Sequence, residues 1–326
     1  MAPLPSPSVA ELEVKRQMGR GDIAAVAELL EVAAQVDGHP PLGEHQWLDL
    51  VHGGREGFAG LVAWEPGHDH PVGYAQLSRA NHGTGPSWAL EFVVDPHHRD
   101  TDPQIGQALV ERALAVVRAE GGGHVHLWVP KPTPDHDRIA AAVGLHRGRE
   151  LRQLRRPLPV EGERSDLPVR GFRPGKDEEA WLEVNNRAFN WHEEQGGWDR
   201  ETLLDRESQP WFDPAGFLLH ERNGRLAGFC WTKVHSDHEP PLGEIYVLAV
   251  DPAFRGRGLG RALALAGLEW LAAQGLTVAM LYVDGDNAPA LRLYEKLGFT
   301  VDHVDRAYTA DVEADPPARP ALSGSS

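Results

Sequence analysis

The segment from Arg255 to Arg261, RGRGLGR, has the residue types of an anion-binding turn. It follows an apolar, strand-like run that stops at Asp251-Pro252, because proline cannot donate to a sheet ladder. A glycine-rich turn into a helix leaves backbone N–H groups unpaired at the helix N-terminus, and such groups suit a pyrophosphate. The arginines add charge of the right sign, although a solvated helix end would also explain them.

Glu244 lies on the strand before this turn, and its carboxylate is a candidate proton acceptor. Strand alternation predicts two faces. One carries Glu244, Tyr246, Leu248 and Val250, and the other carries Ile245, Val247 and Ala249. Lys233 ends the preceding strand-like run, so a cross-strand ion pair with Glu244 explains the carboxylate equally well. From the residues alone, both interpretations stay open.

Tyr294 lies on a short predicted helix between Asn287, which can cap it, and Gly298, which can end it. Its hydroxyl is a candidate proton donor. Leu291 and Leu297 share its face of the helix, so an ordinary buried tyrosine is the structural alternative.

The same order of predicted elements occurs twice, about 150 residues apart. The first half has helices near 22–36, 47–51, 105–119 and 138–143 and strands near 60–64, 73–77, 89–94 and 124–129. The second has helices near 178–189, 200–206, 260–273 and 288–297 and strands near 216–221, 226–234, 244–250, 278–283 and 299–308. We predict domains at 9–157 and 168–312, a Pro/Gly-rich linker over 155–175 that runs into the second domain, and flexible tails at 1–8 and 313–326.

Composition limits the kind of protein. The 326 residues suffice for about two domains, and a formal net charge of −16 argues against nonspecific nucleic-acid binding. No run approaches the ~20 apolar residues of a membrane span. The single cysteine, Cys230, fits a reducing cytosol and a buried position, so we expect a cytoplasmic monomer. The histidine pairs have no third ligand at metal-site spacing, and we predict no metal.

Two familiar phosphate loops do not fit the glycine-rich turn. A P-loop requires a lysine and a serine or threonine after its last glycine, but Arg261-Ala262 follow Gly260. A dinucleotide fingerprint has the spacing GxGxxG, whereas this turn has GxGxG after a strand that looks antiparallel to its predecessor.

The turn Arg255-x-x-Gly258-x-Gly260 resembles the acyl-CoA loop of the GCN5-related N-acetyltransferases. A later signature of that family is similar to Asn287-x-x-Ala290 with Tyr294 and Gly298-Phe299 beyond it. The resemblance implies an α/β fold of two tandem domains. Each would have a mixed, mostly antiparallel central sheet flanked by helices, with an acyl-CoA cleft where the fourth and fifth strands splay apart.

Four segments resemble the mycothiol synthases within this family, namely 185–189, 194–198, 211–214 and 228–235. The tandem arrangement, Pro41-x-Gly43-Glu44 and the segment 155–158 agree, and the resemblance covers nearly the whole chain. It implies acetyl transfer from acetyl-CoA to the cysteinyl amine of a cysteine–glucosamine–inositol conjugate, the last step of mycothiol synthesis. The partners would be these two small molecules, without nucleic acid or membrane.

The resemblance also implies roles for individual residues. Glu244 would be the general base and Tyr294 the general acid that protonates the leaving thiolate. Acetyl-CoA would contact Leu248, Ala249, Val250, Arg255, Gly256, Arg257, Gly258, Leu259, Gly260, Arg261, Asn287 and Arg292. The acceptor would contact Glu44, Glu194, Lys233, Glu244 and Tyr282.

The first domain is predicted to be non-catalytic. Aligning the copies places Trp88 opposite Glu244 and Ala140 opposite Tyr294. The first-half turn also keeps one glycine and gains two aspartates, which would repel phosphates. If this half does hold acetyl-CoA, its strand end would contact it at Phe92, Val93 and Val94. Two rivals remain for the whole chain: an acetyltransferase for another amine, such as a peptide N-terminus or an aminoglycoside, and a non-enzymatic acyl-CoA sensor.

Overall fold

The structure is a computed structural model that describes residues 11–54, 57–67, 70–82, 85–190, 196–236 and 238–316. Its chain divides into two compact units. The first comprises Met1–Glu150 with Asp305–Ser326, and the second comprises Leu151–Val304. The domain boundaries predicted from the repeat, 9–157 and 168–312, follow chain order rather than compactness, and they stay a prediction.

The first unit contains most of the elements of the first half of the chain. They are β1 (Glu11–Lys15), α1 (Arg20–Asp37), α2 (Glu44–Val51), β2 (Phe58–Trp64), β3 (Pro71–His82), β4 (Gly85–Val94), α3 (Gln104–Ala119), β5 (Gly123–Val129), α4 (Pro134–Ala142) and the start of β6 (His146–Pro157). Strands β1 to β5 are neighbours in that order. Only β4 and β5 run parallel among them.

The second unit repeats this arrangement. Its elements are the rest of β6, then β7 (Arg170–Gly171), α5 (Glu178–Ala188), α6 (Arg200–Glu207), β8 (Phe217–Arg222), β9 (Arg225–His235), β10 (Leu242–Val250), α7 (Leu259–Ala273), β11 (Val278–Asp284), α8 (Ala288–Lys296) and the start of β12 (Thr300–Val312). Its sheet order is β6-β11-β10-β9-β8-β7. The pair β10–β11 is parallel, so the predicted mixed, mostly antiparallel α/β fold is confirmed.

Each sheet is completed by a strand from the other half of the chain. Residues Arg306–Val312 of β12 pair antiparallel with β5 in the first unit. Residues Leu151–Pro157 of β6 pair antiparallel with β11 in the second unit. The prediction that a linker begins at Arg155 is therefore wrong for its first three residues. The run HRGRELRQLRRP is so rich in arginine that its alternation is masked, and the strand β6 was missed.

Most other elements were predicted with shorter bounds. Strand β1 was missed, although its five residues ELEVK alternate charged and apolar side chains, which is the pattern of a half-buried strand. Helix α1 begins after Gly19 rather than at Asp22. Asp22 lies in its first turn and accepts a hydrogen bond from the Gly19 N–H at 3.1 Å. The predicted tails at 1–8 and beyond 316 lie outside the described residues.

In the second unit, the sheet carries an apolar cluster on each face. One packs under α7 and α8 and includes Ile245, Leu248 and Val250. The other packs under α5 and α6 and includes Val247 and Ala249. Helix α7 lies so close to the sheet that a Cβ on Gly267 would be 2.5 Å from the sulfur of Cys230. We call the side of the sheet under α7 and α8 the α7 face, and the side under α5 and α6 the α5 face.

A β-bulge in β10 overturns the predicted alternation of its side chains. The pairing with β9 shifts between Ile245 and Val247, which leaves Tyr246 as the extra residue. Before the bulge Ile245 belongs to the α7 face, and after it Leu248 and Val250 do. Glu244, one residue before Ile245, therefore points to the α5 face and does not share a face with Leu248.

Strands β10 and β11 splay apart immediately beyond Glu244. Their parallel ladder pairs Leu242 with Val278, Gly243 with Ala279 and Glu244 with Met280, and then it ends. From Ile245 to Val250, β10 is paired on its β9 edge only. The backbone groups of its other edge are therefore available to an extended ligand arm, as in strand addition at a sheet edge.

Candidate active site

The carboxylate of Glu244 is buried at the point where the splay begins. Its side chain is 8 % exposed, and Oε2 accepts a hydrogen bond from Nε2 of His235 at 2.7 Å. An ionised carboxylate can only accept hydrogen bonds, so with Glu244 ionised the proton of this bond lies on Nε2 of His235. The contact orients the carboxylate at the end of the β10–β11 ladder.

Lys233 pairs with Glu244 in the ladder, but their side chains do not form the predicted alternative of a cross-strand ion pair. The ammonium of Lys233 lies over the ring of Trp211, 4.6 Å from its centroid, and 5.7 Å from that of Tyr246. Cation–π contact holds a positive charge near the carboxylate without neutralising it. Both charges therefore remain available to a ligand.

Tyr282 belongs to the same α5 face as Glu244. Its neighbours in β11, Leu281 and Val283, are in the α7-face cluster, so Tyr282 points the other way and is 42 % exposed. Its hydroxyl accepts a hydrogen bond at 2.7 Å from the side-chain amide of Gln153 on β6. Glu244, Lys233 and Tyr282 are thus brought to one face by three neighbouring strands.

Tyr294 occupies the opposite, α7 face. Asn287 caps α8 by accepting from the Ala290 N–H at 3.2 Å, as predicted. The ring of Tyr294 packs against Phe299, and burial raises the pKa of its hydroxyl above the ordinary range. Cys230, which pairs with Leu248 beyond the splay, interacts electrostatically with it and raises the pKa further. The hydroxyl is therefore protonated at neutral pH and can act as a donor.

The glycine-rich turn has the backbone conformation that only glycine adopts without strain. Gly256 has φ +77° and Gly258 has φ +75°, and α7 starts at the next residue, Leu259. The start of the turn is fixed by two charged contacts. Asp251 binds Arg187 at 2.6 Å, and the guanidinium of Arg255 donates to the Ala188 carbonyl at 3.1 Å.

The cations around this turn therefore have different roles. Arg255 holds the turn against the end of α5. Arg261 is paired with Glu163 of the segment before β7. Arg257 and Arg292 are exposed and have no ion pair or hydrogen bond among the described residues. These two can approach an anion at the N-terminus of α7 without breaking an existing contact.

Two predicted acceptor ligands cannot be placed. Glu194 lies outside the described residues, in the gap at 191–195. Glu44 begins α2, but its side chain is not among those that the structure describes.

The first unit has a splay of its own, with different residues at the positions of Glu244 and Tyr294. Strands β4 and β5 pair as far as Leu90 and Leu127. The strand pairing shows that Ala89, and not Trp88, corresponds to Glu244. Strand β10 has one extra residue at its bulge and β4 has none, so an alignment without a gap is shifted by one residue here. Ala140 does correspond to Tyr294. Its carbonyl accepts from Leu145 at 2.8 Å, and that of Tyr294 accepts from Phe299 at 3.0 Å.

A cavity of about 250 Å³ lies at this first-unit splay and is lined by Phe92, Val93 and Val94. Arg99, at the start of the turn, binds Asp37 through two hydrogen bonds of 2.6 and 2.8 Å and the Val94 carbonyl at 3.0 Å. Asp100 and Asp102 also line the cavity, together with Pro103, Gly106 and His136. The lining has mixed charge, because Lys131 and Arg138 also belong to it, together with Asp37 and Asp135.

Sequence reasoning missed His235. The pair His235-x-x-His238 was considered only as a metal motif, whereas strand alternation places His235 on the face of Lys233, beside Glu244. In the described residues, no three histidine, cysteine or carboxylate side chains are grouped to hold a metal. Cys230 is fully buried, as predicted, and burial raises its pKa to about 12. No helix among the described residues has the length and apolar character of a membrane span.

Comparison with known proteins finds one family in both halves of the chain. The family model "Acetyltransferase (GNAT) family" matches residues 23–143 and 185–299. The "Mycothiol acetyltransferase" of Acidimicrobium ferrooxidans is 47 % identical over 290 residues, which is 87 % of this chain and 92 % of that protein. The protein of the same description from Streptomyces avermitilis is 43 % identical over 305 residues, which is 92 % and 95 % of the two chains.

Solved structures show the same fold. A GCN5-related N-acetyltransferase from Sphaerobacter thermophilus superimposes with a TM-score of 0.65 at 22 % identity, over 94 % of this chain and 97 % of the other. A tandem GNAT protein from the clavulanic acid biosynthesis pathway superimposes with a TM-score of 0.62 at 19 % identity. The match covers 94 % of this chain and 100 % of the other. The chain therefore belongs to the GNAT family of acetyl-CoA-dependent N-acetyltransferases and, within it, to the mycothiol acetyltransferases.

Proposed function

We propose that this enzyme acetylates the cysteinyl amine of a cysteine–glucosamine–inositol conjugate, the last step of mycothiol synthesis. The observation that carries the proposal is the identity of 40–47 % with relatives described as mycothiol acetyltransferases, most of which match it over about nine-tenths of their length. The α5 face supports it. An exposed tyrosine, a lysine over aromatic rings and a buried carboxylate suit an acceptor with hydroxyl groups and an ammonium.

The two faces of the second-unit sheet divide the proposed chemistry. Glu244, on the α5 face, takes one proton from the acceptor ammonium, which leaves the nitrogen lone pair for attack on the thioester carbonyl. Tyr294, on the α7 face, gives its hydroxyl proton to the departing thiolate, and the second proton that the nitrogen loses on becoming an amide restores the hydroxyl through solvent. The splay between β10 and β11 is where the two reacting groups would meet. Transfer is direct, since the only cysteine, Cys230, is fully buried and its thiol stays protonated.

The second-unit cleft has the features needed to hold acetyl-CoA. The N-terminus of α7 offers unpaired N–H groups to the diphosphate, and Arg257 and Arg292 add positive charge. The open edge of β10 at Leu248, Ala249 and Val250 can pair with the amide groups of the pantetheine arm. Arg255 contributes by shaping the turn.

The test is thiol release from acetyl-CoA with the cysteinyl conjugate, measured beside a panel of peptides and aminoglycosides. We expect kcat/KM for the conjugate to exceed that for every other amine by at least a hundredfold, because a site built for a polar ligand rejects analogues that leave its polar groups unpaired. Preference for another amine would replace the proposed substrate. Acetyl-CoA binding without thiol release from any acceptor would favour a sensor.

Gly260→Ala is expected to weaken acetyl-CoA binding about tenfold while the protein stays folded. A Cβ at this position would meet only Leu293 at 3.7 Å and Val250 at 3.9 Å, which are ordinary contacts. The added methyl group would, however, stand where backbone N–H groups must approach a diphosphate, and one impaired charged hydrogen bond costs roughly a factor of ten. Calorimetry with acetyl-CoA measures the change. Gly21→Ala, at an open position in α1, is the matched control, and equal affinities of both variants would contradict the prediction.

We further propose that the first unit is structural and that each chain binds one acetyl-CoA. Arg99 is committed to Asp37 and the Val94 carbonyl, and Asp100 and Asp102 in the cavity lining oppose a phosphate. Calorimetric titration should therefore give a stoichiometry near one. A stoichiometry of two, with one site kept in Gly260→Ala, would assign the second site to Phe92, Val93 and Val94.

A further inference from the structure

The hydrogen bond between His235 and Glu244 is placed where it can control the proposed base. His235 is the last residue of β9, and its side chain is 17 % exposed, whereas that of Glu244 is 8 % exposed. The imidazole binds Oε2 of the carboxylate at 2.7 Å. The second oxygen, Oε1, accepts no hydrogen bond from any described residue. One oxygen is thus committed, and the other is left for a ligand.

The groups packed around this pair do not offer Glu244 another partner. On β9, Lys233 lies over Trp211. On β10, Tyr246 interacts electrostatically with Glu244 and more strongly with Arg206 of α6. On β11, the residue opposite Glu244 is Met280, which carries no charge.

Two further groups complete the surroundings of the pair. On β6, Arg155 donates to Gln153 at 2.7 Å and lies 3.4 Å from Asp302 of β12. In the connection before β10, the ring of His238 stands edge-on to His235, with 5.8 Å between centroids. His235 is therefore the one side chain among the described residues that hydrogen-bonds to Glu244.

We propose that His235 is a positioning residue for Glu244, an inference that rests on the proposed role of Glu244 as the base. Its Nε2–H holds Oε2, which fixes the carboxylate plane and directs Oε1 to the acceptor ammonium. During the reaction one ammonium proton moves to Oε1, and His235 neither gains nor loses a proton.

Two substitutions of His235 separate its hydrogen bond from its bulk and its titration. His235→Leu removes the hydrogen-bond donor and keeps a side chain of similar volume at the end of β9. His235→Gln keeps an N–H donor at similar reach but cannot titrate. We expect kcat to fall about ten- to fiftyfold in His235→Leu, since a hydrogen bond to a charged group is lost, and to stay within about threefold of the wild type in His235→Gln.

The split between kcat and KM provides a readout that separates positioning from a general loss of structure. His235→Leu should lower kcat while the KM for acetyl-CoA stays within about twofold of the wild type, because Glu244 faces away from the glycine-rich turn. Both constants should stay near their wild-type values in His235→Gln. His124→Gln is the matched control, because His124 of the first unit likewise contacts a carboxylate, that of Asp311, at 2.8 Å.

The inference is overturned if His235→Leu has the wild-type kcat, or if a folded His235→Gln is as impaired as His235→Leu. Assays use whichever amine the wild-type enzyme acetylates, so a wrong acceptor would overturn the proposed function without affecting this test. Nitrogen NMR of the imidazole gives a second test that needs no turnover. Nε2 must carry a proton in the wild type, and an unprotonated Nε2 would contradict the proposal.

Discussion

Glu244→Gln is expected to lower kcat by a factor of about a hundred to ten thousand at neutral pH, the usual contribution of a general base. The amide is nearly isosteric with the carboxylate, and its oxygen can still accept the hydrogen bond from His235. What is lost is the ability to take the ammonium proton. Acetyl-CoA affinity should be unchanged, because Glu244 faces away from α7 and the glycine-rich turn. Steady-state thiol release measures kcat, and calorimetry measures the affinity for acetyl-CoA.

The pH dependence of Glu244→Gln gives a sharper test. An α-amino group loses its proton near pH 8 without help, so the residual rate of the variant should rise as the pH increases through that value. The wild-type enzyme should show a smaller rise over the same range. Glu221→Gln, which changes a partly exposed carboxylate paired with Arg170, is the control and should keep full activity. A turnover equal to the wild type in Glu244→Gln would remove the residue from the mechanism.

Tyr294→Phe is expected to lower kcat about a hundredfold, near the small end of general acid catalysis. A thiolate is a tolerable leaving group, since a free thiol has a pKa of roughly 8.5, and this limits the benefit of a proton donor. The ring keeps its contact with Phe299, so the fold and acetyl-CoA affinity should be preserved. The measurement is kcat with the acceptor at saturation, together with the thermal midpoint of unfolding.

The matched control for Tyr294→Phe is Tyr74→Phe in the first unit. Tyr74 is fully buried, and its hydroxyl donates to Gln76 at 2.9 Å, so its removal also deletes one buried hydroxyl. Both variants should lose some stability, but only Tyr294→Phe should lose turnover. Equal kcat values for the two would mean that Tyr294 is the ordinary buried tyrosine that its helical spacing also allowed.

The glycine-rich turn alone does not identify the reaction, because the proposed base and the proposed acid lie on opposite faces of the sheet. In the proposed mechanism, the turn and the open edge of β10 hold the acyl-CoA. The acceptor would contact residues that β9, β10 and β11 bring to the α5 face. Transfer would then take place at the splay, where the ladder between β10 and β11 ends at Glu244.

The sequence by itself determined the features that depend on short-range patterns. The turn from Arg255 to Gly260, the cap at Asn287 and the internal repeat were all readable, because each depends on residue types at fixed local spacing. Motif resemblance identified the family, which the comparisons confirm. The fold class followed from the same motifs, together with the order of helices and strands.

Only the tertiary structure decided the features that depend on register between distant strands. The bulge at Tyr246 reverses which side chains of β10 point to each face of the sheet. The local sequence does not predict this extra residue, because it depends on the pairing with β9. Because of the bulge, Glu244 lies on the α5 face rather than on the predicted face of Leu248. The bulge also makes Ala89, rather than Trp88, the residue of the first unit that corresponds to Glu244. The partner of Glu244 was likewise decided by packing. Lys233 was the expected choice on charge, but Trp211 holds its ammonium and leaves the carboxylate to His235.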